Sequence, residues 1–243
     1  MTALAESLER LEDAIAAACR RAGRARGDVE LMAVSKTYPA STIAEAVALG
    51  LKLFGENRVQ EFAAKEPNVA GLRRDLASPV RIHLIGHLQS NKAARAAELF
   101  DAVDSIDSLR LAERLNDAAA KLGMRLPVLI EVKLSPEETK AGLDPESPQA
   151  ASLLERLPDL GHLQVRGLMT IAPWGVSEGV TRACFRSLRT WRDKWAAQHP
   201  RLSLAVLSMG MSGDFPIAIE EGATRIRVGT ALFGKRRPYT GPA

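Results

Sequence analysis

The chain has 243 residues, of which 46% are hydrophobic and 26% charged, enough for one globular domain with a sizeable core. Its formal charge of +4 and pI near 9.3 come from Arg and Lys scattered among Asp and Glu, so nothing demands nucleic acid and an anionic small ligand explains the balance equally well. Only two cysteines occur, Cys19 and Cys184, each in a predicted helix, so neither a disulfide nor a metal site is expected; the apolar stretches are too short for a bilayer, and Glu6, Glu9 and Arg10 rule out a signal peptide, so a soluble cytoplasmic protein is expected.

An opening helix is predicted over residues 5–22, with Leu8, Leu11, Ile15 and Ala18 on one face. Residues 31–35 then read as a buried strand, which Pro39 ends. Lys36 stands at its mouth. Apolar walls disfavour an ammonium there and favour a nucleophilic amine, the chemistry of a Schiff-base lysine; the alternative is a lysine that snorkels to solvent. A helix over 40–49 and a strand over 51–55 follow. Asn57 next faces a ligand or caps the helix over 58–65. In the strand over 82–86, His83 stacks on a ring or is a satisfied core histidine.

Residues 91–99, 109–122, 148–157, 178–198 and 215–222 are predicted helices. They alternate with predicted strands over 102–105, 127–133, 165–170, 204–208 and 226–229. Lys133 and Lys140 fall near one rim, where Lys140 could meet a phenolate, receive a transferred aldehyde, or simply be solvated surface. About eight strands alternating with helices predict a single-domain (β/α)8 TIM barrel, with an open doubly wound sheet as the alternative. Lys36, Glu56, Asn57, Gly86, His87, Ser105, Lys133, Thr170, Ser208 and Gly229 all fall at or just past strand C-terminal ends, the catalytic face of such a barrel.

The stretch from Ser208 to Pro216 is a glycine- and serine-rich loop entering a helix, and Gly229-Thr230 ends the last strand. Two such loops after the final strands suit a phosphate; alternatively Ser212 and Thr230 are ordinary N-caps. Arg227 shares the inward parity of Gly229. It either donates to a heteroaromatic ring nitrogen or, with Arg225, belongs to a structural salt-bridge network.

Seven segments carry a resemblance: A-V-S-K-T at 33–37, F-G-E-N at 54–57, H-L-I-G-H-L-Q-S-N-K at 83–92, S-I-D-S at 105–108, G-L-M-T-I at 167–171, L-S-M-G-M-S-G-D at 207–214 and R-V-G-T-A-L-F-G at 227–234. In this order they resemble the pyridoxal phosphate homeostasis protein family, which is similar to the barrel domain of alanine racemase and related decarboxylases. The resemblance implies pyridoxal 5'-phosphate as cofactor, held as an aldimine on Lys36. Ser212, Gly229 and Thr230 then match the phosphate site, with Ser208 an addition. Arg227 matches the arginine facing the pyridine nitrogen, and Asn57 and His83 complete the expected set. Lys140 falls near the racemases' arginine at the phenolic oxygen. Lys133 stands where the family often has Asn, and Arg58 where it often has an aromatic residue.

The sequence reaches Ala243 just past the last barrel element, so the second, β-rich domain of the racemases is not expected. A non-catalytic, monomeric carrier that regulates free cofactor and hands it to apoenzymes is therefore the expectation. A cofactor-dependent racemase or decarboxylase is the alternative, and an aldolase-type barrel or a nucleic-acid module is more remote.

Overall fold

Eight parallel strands, in sequential order, close into a barrel in a computed structural model that describes residues 2–73, 79–135 and 141–234. The strands are β1 (Glu30–Val34), β2 (Leu53–Glu56), β3 (Arg81–Leu84), β4 (Ala102–Ile106), β5 (Leu126–Glu131), β6 (Leu163–Met169), β7 (Val206–Ser208) and β8 (Arg225–Val228). The helices are α1 (Ala3–Arg21), α2 (Ala40–Ala48), α3 (Val59–Arg73), α4 (Ala93–Leu99), α5 (Leu109–Lys121), α6 (Pro148–Arg156), α7 (Glu178–Gln198), α8 (Phe215–Glu220) and α9 (Thr230–Phe233). The closed barrel is the architecture expected from the sequence, and the open sheet is excluded. Among the described residues, no helix is long and apolar enough to cross a membrane.

The first and last strands form the closing seam, with Leu31 opposite Ile226 and Ala33 opposite Val228. Side chains alternate across each strand. Leu31, Ala33, Ile226 and Val228 pack outward into the large core between strands and helices. Met32 and Val34 point inward and meet Leu53 and Ile85 in a small separate cluster. Arg225 and Arg227 take the same inward parity and are buried.

The inside of the barrel is therefore partly polar, where many such barrels are filled by branched aliphatic residues. Towards its N-terminal end Asp104 accepts from Arg225 at 3.1 Å and lies 3.1 Å from His83 Nδ1, while Arg225 also reaches Glu30 at 2.8 Å.

One element departs clearly from expectation. The helix predicted to stop at residue 65 continues as α3 through Pro67 to Arg73. Proline removes one helical hydrogen bond, but Phe62, Lys65 and Val69 keep one face buried, and that packing carries the helix on.

Candidate functional site

A cavity of about 510 Å³ opens at the C-terminal ends of the strands. Lys36, Asn57, Ser212, Arg227, Gly229 and Thr230, six of the residues singled out in the sequence, line it together.

Lys36 is half-buried in a tight turn directly after β1, which the Tyr38 N–H closes by donating to the Ser35 carbonyl at 3.1 Å. Thr37 takes φ 69° at the third position of that turn, where glycine is usual. The Tyr38 hydroxyl donates to the Gly234 carbonyl at 2.7 Å, and its ring lies 5.0 Å from Phe233, so the turn is bound to the end of α9. Next to it, a Cβ on Gly86 would fall 2.3 Å from the Asn57 carbonyl oxygen. Only glycine lets the loops after β2 and β3 approach this closely.

Across the cavity lie the loop after β7 and the start of α9. Gly210, at φ 92°, brings its backbone against α8, where a Cβ would stand 2.5 Å from that of Ala218. Its carbonyl accepts the Arg227 N–H at 2.9 Å. Ser212 is not the cap of its own helix: its hydroxyl accepts the Ala231 N–H at 3.2 Å and joins the two loops. Gly229, and not Thr230, holds the cap position of α9. Burial raises the Asp214 carboxyl above its usual range, against the Met211 N–H and Arg227, which lower it.

Arg227 is 4% exposed. Its Nη1 donates to the Ser208 carbonyl at 2.7 Å and hydroxyl at 2.9 Å, and its Nη2 donates to the Thr170 carbonyl at 2.8 Å. These neutral acceptors take three of the five N–H groups of a guanidinium and leave two for an occupant. Burial pulls the Arg227 pKa below its ordinary value, opposed by the through-space charges of Asp104, Glu131 and Asp214.

The remaining sequence assignments need correction or relocation. Ser208 is fully buried beneath Arg227 and supports that residue without lining the cavity. His83 does not line it either. It is held by Asp104 and borders a second cavity of about 220 Å³ with Arg81 and Arg166, near the strands' N-terminal ends. Of its two expected readings, His83 is the satisfied core histidine and not a ring-stacking residue; it lies two positions below Ile85, which does reach the main cavity. Lys133 lines the cavity rim; Lys140 lies outside the described residues.

Sequence reading assigned no role to Glu131, Asp214 or Trp174, all of which line the cavity. Trp174 is 90% exposed, and nothing in its local sequence marks it out. Glu131 ends β5, and the strand alternation already used for Arg227 would have placed it inside. It is 4% exposed, and its Oε2 has no hydrogen-bond partner. Burial, and then the charge of Asp107, raise its pKa from 4.5 to about 7 against the opposing pull of Arg227.

The folded protein therefore keeps a proton on Glu131 that the unfolded chain releases near pH 4.5, and stability falls as pH rises from there to about 7. Glu131→Gln is expected to flatten this dependence and to exceed the parent by up to about 3 kcal/mol at pH 8. Urea unfolding of both proteins at pH 5 and pH 8 measures it; equal pH slopes would refute the assignment.

Comparison with known proteins agrees with this geometry. Residues 7–237 match the model of the alanine racemase N-terminal domain. A pyridoxal phosphate homeostasis protein of Aquifex aeolicus (strain VF5) is 41% identical over 232 residues, covering 96% of this chain and 98% of its own. Its namesake in Escherichia coli (strain K12) is 41% identical over 243 residues, covering 97% and 98%. PipY of Synechococcus elongatus PCC7942, solved with PLP (pyridoxal phosphate) bound, is 44% identical with a TM-score of 0.82, covering 95% of this chain and 100% of that one. An alanine racemase of Clostridium difficile 630, at 16% identity and a TM-score of 0.68 over 93% of this chain and 57% of its own, shares the fold. A cavity with a lysine at the mouth of β1, on a barrel matched nearly end to end, makes this chain a member of the pyridoxal phosphate homeostasis protein family.

Proposed function

We propose that the chain holds pyridoxal phosphate as an imine on Lys36 and serves vitamin B6 homeostasis by keeping and releasing that cofactor to acceptor apoenzymes. The carrying observation is that Lys36 and the Ser212 and Thr230 loops face one cavity from the adjacent ends of β7, β8 and β1. The residues fit the group. Lys36 supplies the amine for the aldehyde, and loop N–H groups with the two hydroxyls suit the phosphate ester. Arg227 keeps two donors for the ring nitrogen, and the open oxygen of Glu131 calls for a polar partner.

When bound, this cofactor supplies an electron sink, and a protonated ring nitrogen makes it effective. An arginine facing that nitrogen donates to it and leaves it unprotonated. The Tyr38 hydroxyl, two residues after Lys36, donates its proton to the Gly234 carbonyl. Both arrangements favour holding the cofactor over turning over an amino acid.

Protein incubated with pyridoxal phosphate is expected to show a visible imine band that borohydride bleaches, with one reduced cofactor fixed on the Lys36 peptide by mass. A colourless protein with an unmodified peptide would defeat the proposal. Deuterium entry at Cα or carbon dioxide release across an amino-acid panel, far above the free cofactor, would instead make it an enzyme.

A further inference from the structure

The outer side of the Lys36 turn carries a buried ionic group that the cavity does not use. Glu56, at the end of β2, is 0% exposed and points outward, and Lys65 on α3 is 8% exposed. Lys65 Nζ donates to Glu56 Oε1 at 3.0 Å, to Glu61 Oε1 at 2.7 Å and to the Ser35 carbonyl at 3.1 Å. The Ser35 hydroxyl also donates to Glu56 at 2.8 Å, and the Thr37 N–H donates to Glu61 at 2.5 Å. The peptide groups on both sides of Lys36 are thus gripped from one place, Ser35 by the ammonium and Thr37 by the carboxylate beside it.

The turn needs such a grip. A β-branched residue in the left-handed region costs on the order of 1–2 kcal/mol, and such strain persists only where the surroundings over-determine it. Thr37 recovers nothing through its own hydroxyl, which is buried without a partner. Three acceptors, meanwhile, saturate the three N–H groups of an ammonium, so Lys65 is not itself a nucleophile.

We propose that Lys65 is a positioning residue for Lys36: seated between Glu56 and Glu61 behind the barrel wall, it clamps the turn in the backbone form that presents the Lys36 amine to the cavity. The inference rests on the reading of Lys36 as the imine-forming residue.

The test compares the wild type, Lys65→Met, and Lys65→Met combined with Thr37→Gly. The rate of imine formation with pyridoxal phosphate is read, together with the pH profile of Lys36 acylation by acetic anhydride, followed by peptide mass. Misplacing a reacting group by an ångström costs up to about a hundredfold, so a partial loosening in Lys65→Met is expected to slow imine formation by about tenfold. Glycine adopts the positive φ without strain, so the double variant should return to within about threefold of the wild type. A purely structural lysine would not be rescued by a glycine in the turn after β1, on a different element from α3.

If Lys65→Met does not fold, Glu61→Ala releases the Thr37 N–H and one of the three acceptors of Lys65, while Glu56 and the Ser35 carbonyl still hold the ammonium, and about threefold slowing is expected by the same geometric argument. Wild-type rates in Lys65→Met or Glu61→Ala, or no recovery in the double variant, would overturn the clamp. A wild type that takes no pyridoxal phosphate, yet shows the same acylation pattern across the variants, defeats the proposed function and leaves the clamp standing.

Discussion

Lys36→Ala is expected to lose the imine band and the borohydride-fixed adduct completely. Lys36→Arg should lose them as well, because a guanidinium stays charged and does not attack an aldehyde. The adduct should not move to Lys65, whose ammonium is saturated by Glu56, Glu61 and the Ser35 carbonyl. The loops carrying Ser212 and Thr230 remain in both variants, so under the proposed function a phosphate ester is expected still to bind, weakly and reversibly. Peptide mapping after reduction, paired with equilibrium dialysis of pyridoxal phosphate, separates the two contributions. An adduct of undiminished yield on another lysine would contradict the assignment of position 36.

The second large effect concerns stability at the opposite end of the barrel. Burial pushes the Asp104 carboxyl up, but the charge of His83, its hydrogen bond and the charges of Arg225 and Arg227 outweigh this and hold the pKa below 3.8. Among the described residues, Asp104→Ala leaves Arg225 with Glu30 as its one carboxylate and takes the Asp104 carboxylate from His83. Breaking one partner of such a buried set costs about 3–5 kcal/mol, and Asp104→Ala is expected to lose that much in urea unfolding at pH 7. Because the folded pKa is depressed, Asp104 contributes fully above its unfolded value of 3.8 and the contribution fades as pH falls through the lower folded value. The stability of parent and variant should therefore converge in strong acid. A difference that persists unchanged to low pH would show that the carboxylate's charge is not the cause.

The barrel was legible because its strands are short, buried on both faces and separated by helices with one apolar face. Lys36 was legible because a proline closes the segment that a buried strand opens. Arg227 and Arg225 were read from alternation, and alternation gave their inward direction. It did not give depth. His83 points inward but lies a layer too low to reach the main cavity, because depth depends on the stagger between neighbouring strands and no single strand encodes it. Glu131 was within reach of the same rule and was passed over as one charge among several. The group formed by Glu56, Glu61 and Lys65 was not legible at all. It is assembled by packing α3 onto the strand ends, and α3 itself continues past a proline that local propensity would treat as a stop.

The seam between β1 and β8 has a consequence for how the vitamer and the polypeptide depend on each other. Lys36 follows the first strand and Thr230 follows the last, so an occupant joined to both is a clasp across the one junction where the barrel's two distant halves meet. Occupancy at a hundred times the dissociation constant adds about 2.7 kcal/mol to any fold that binds its ligand only when folded. If the proposed imine and phosphate site hold, scarcity of the vitamer withdraws that increment from the closed barrel.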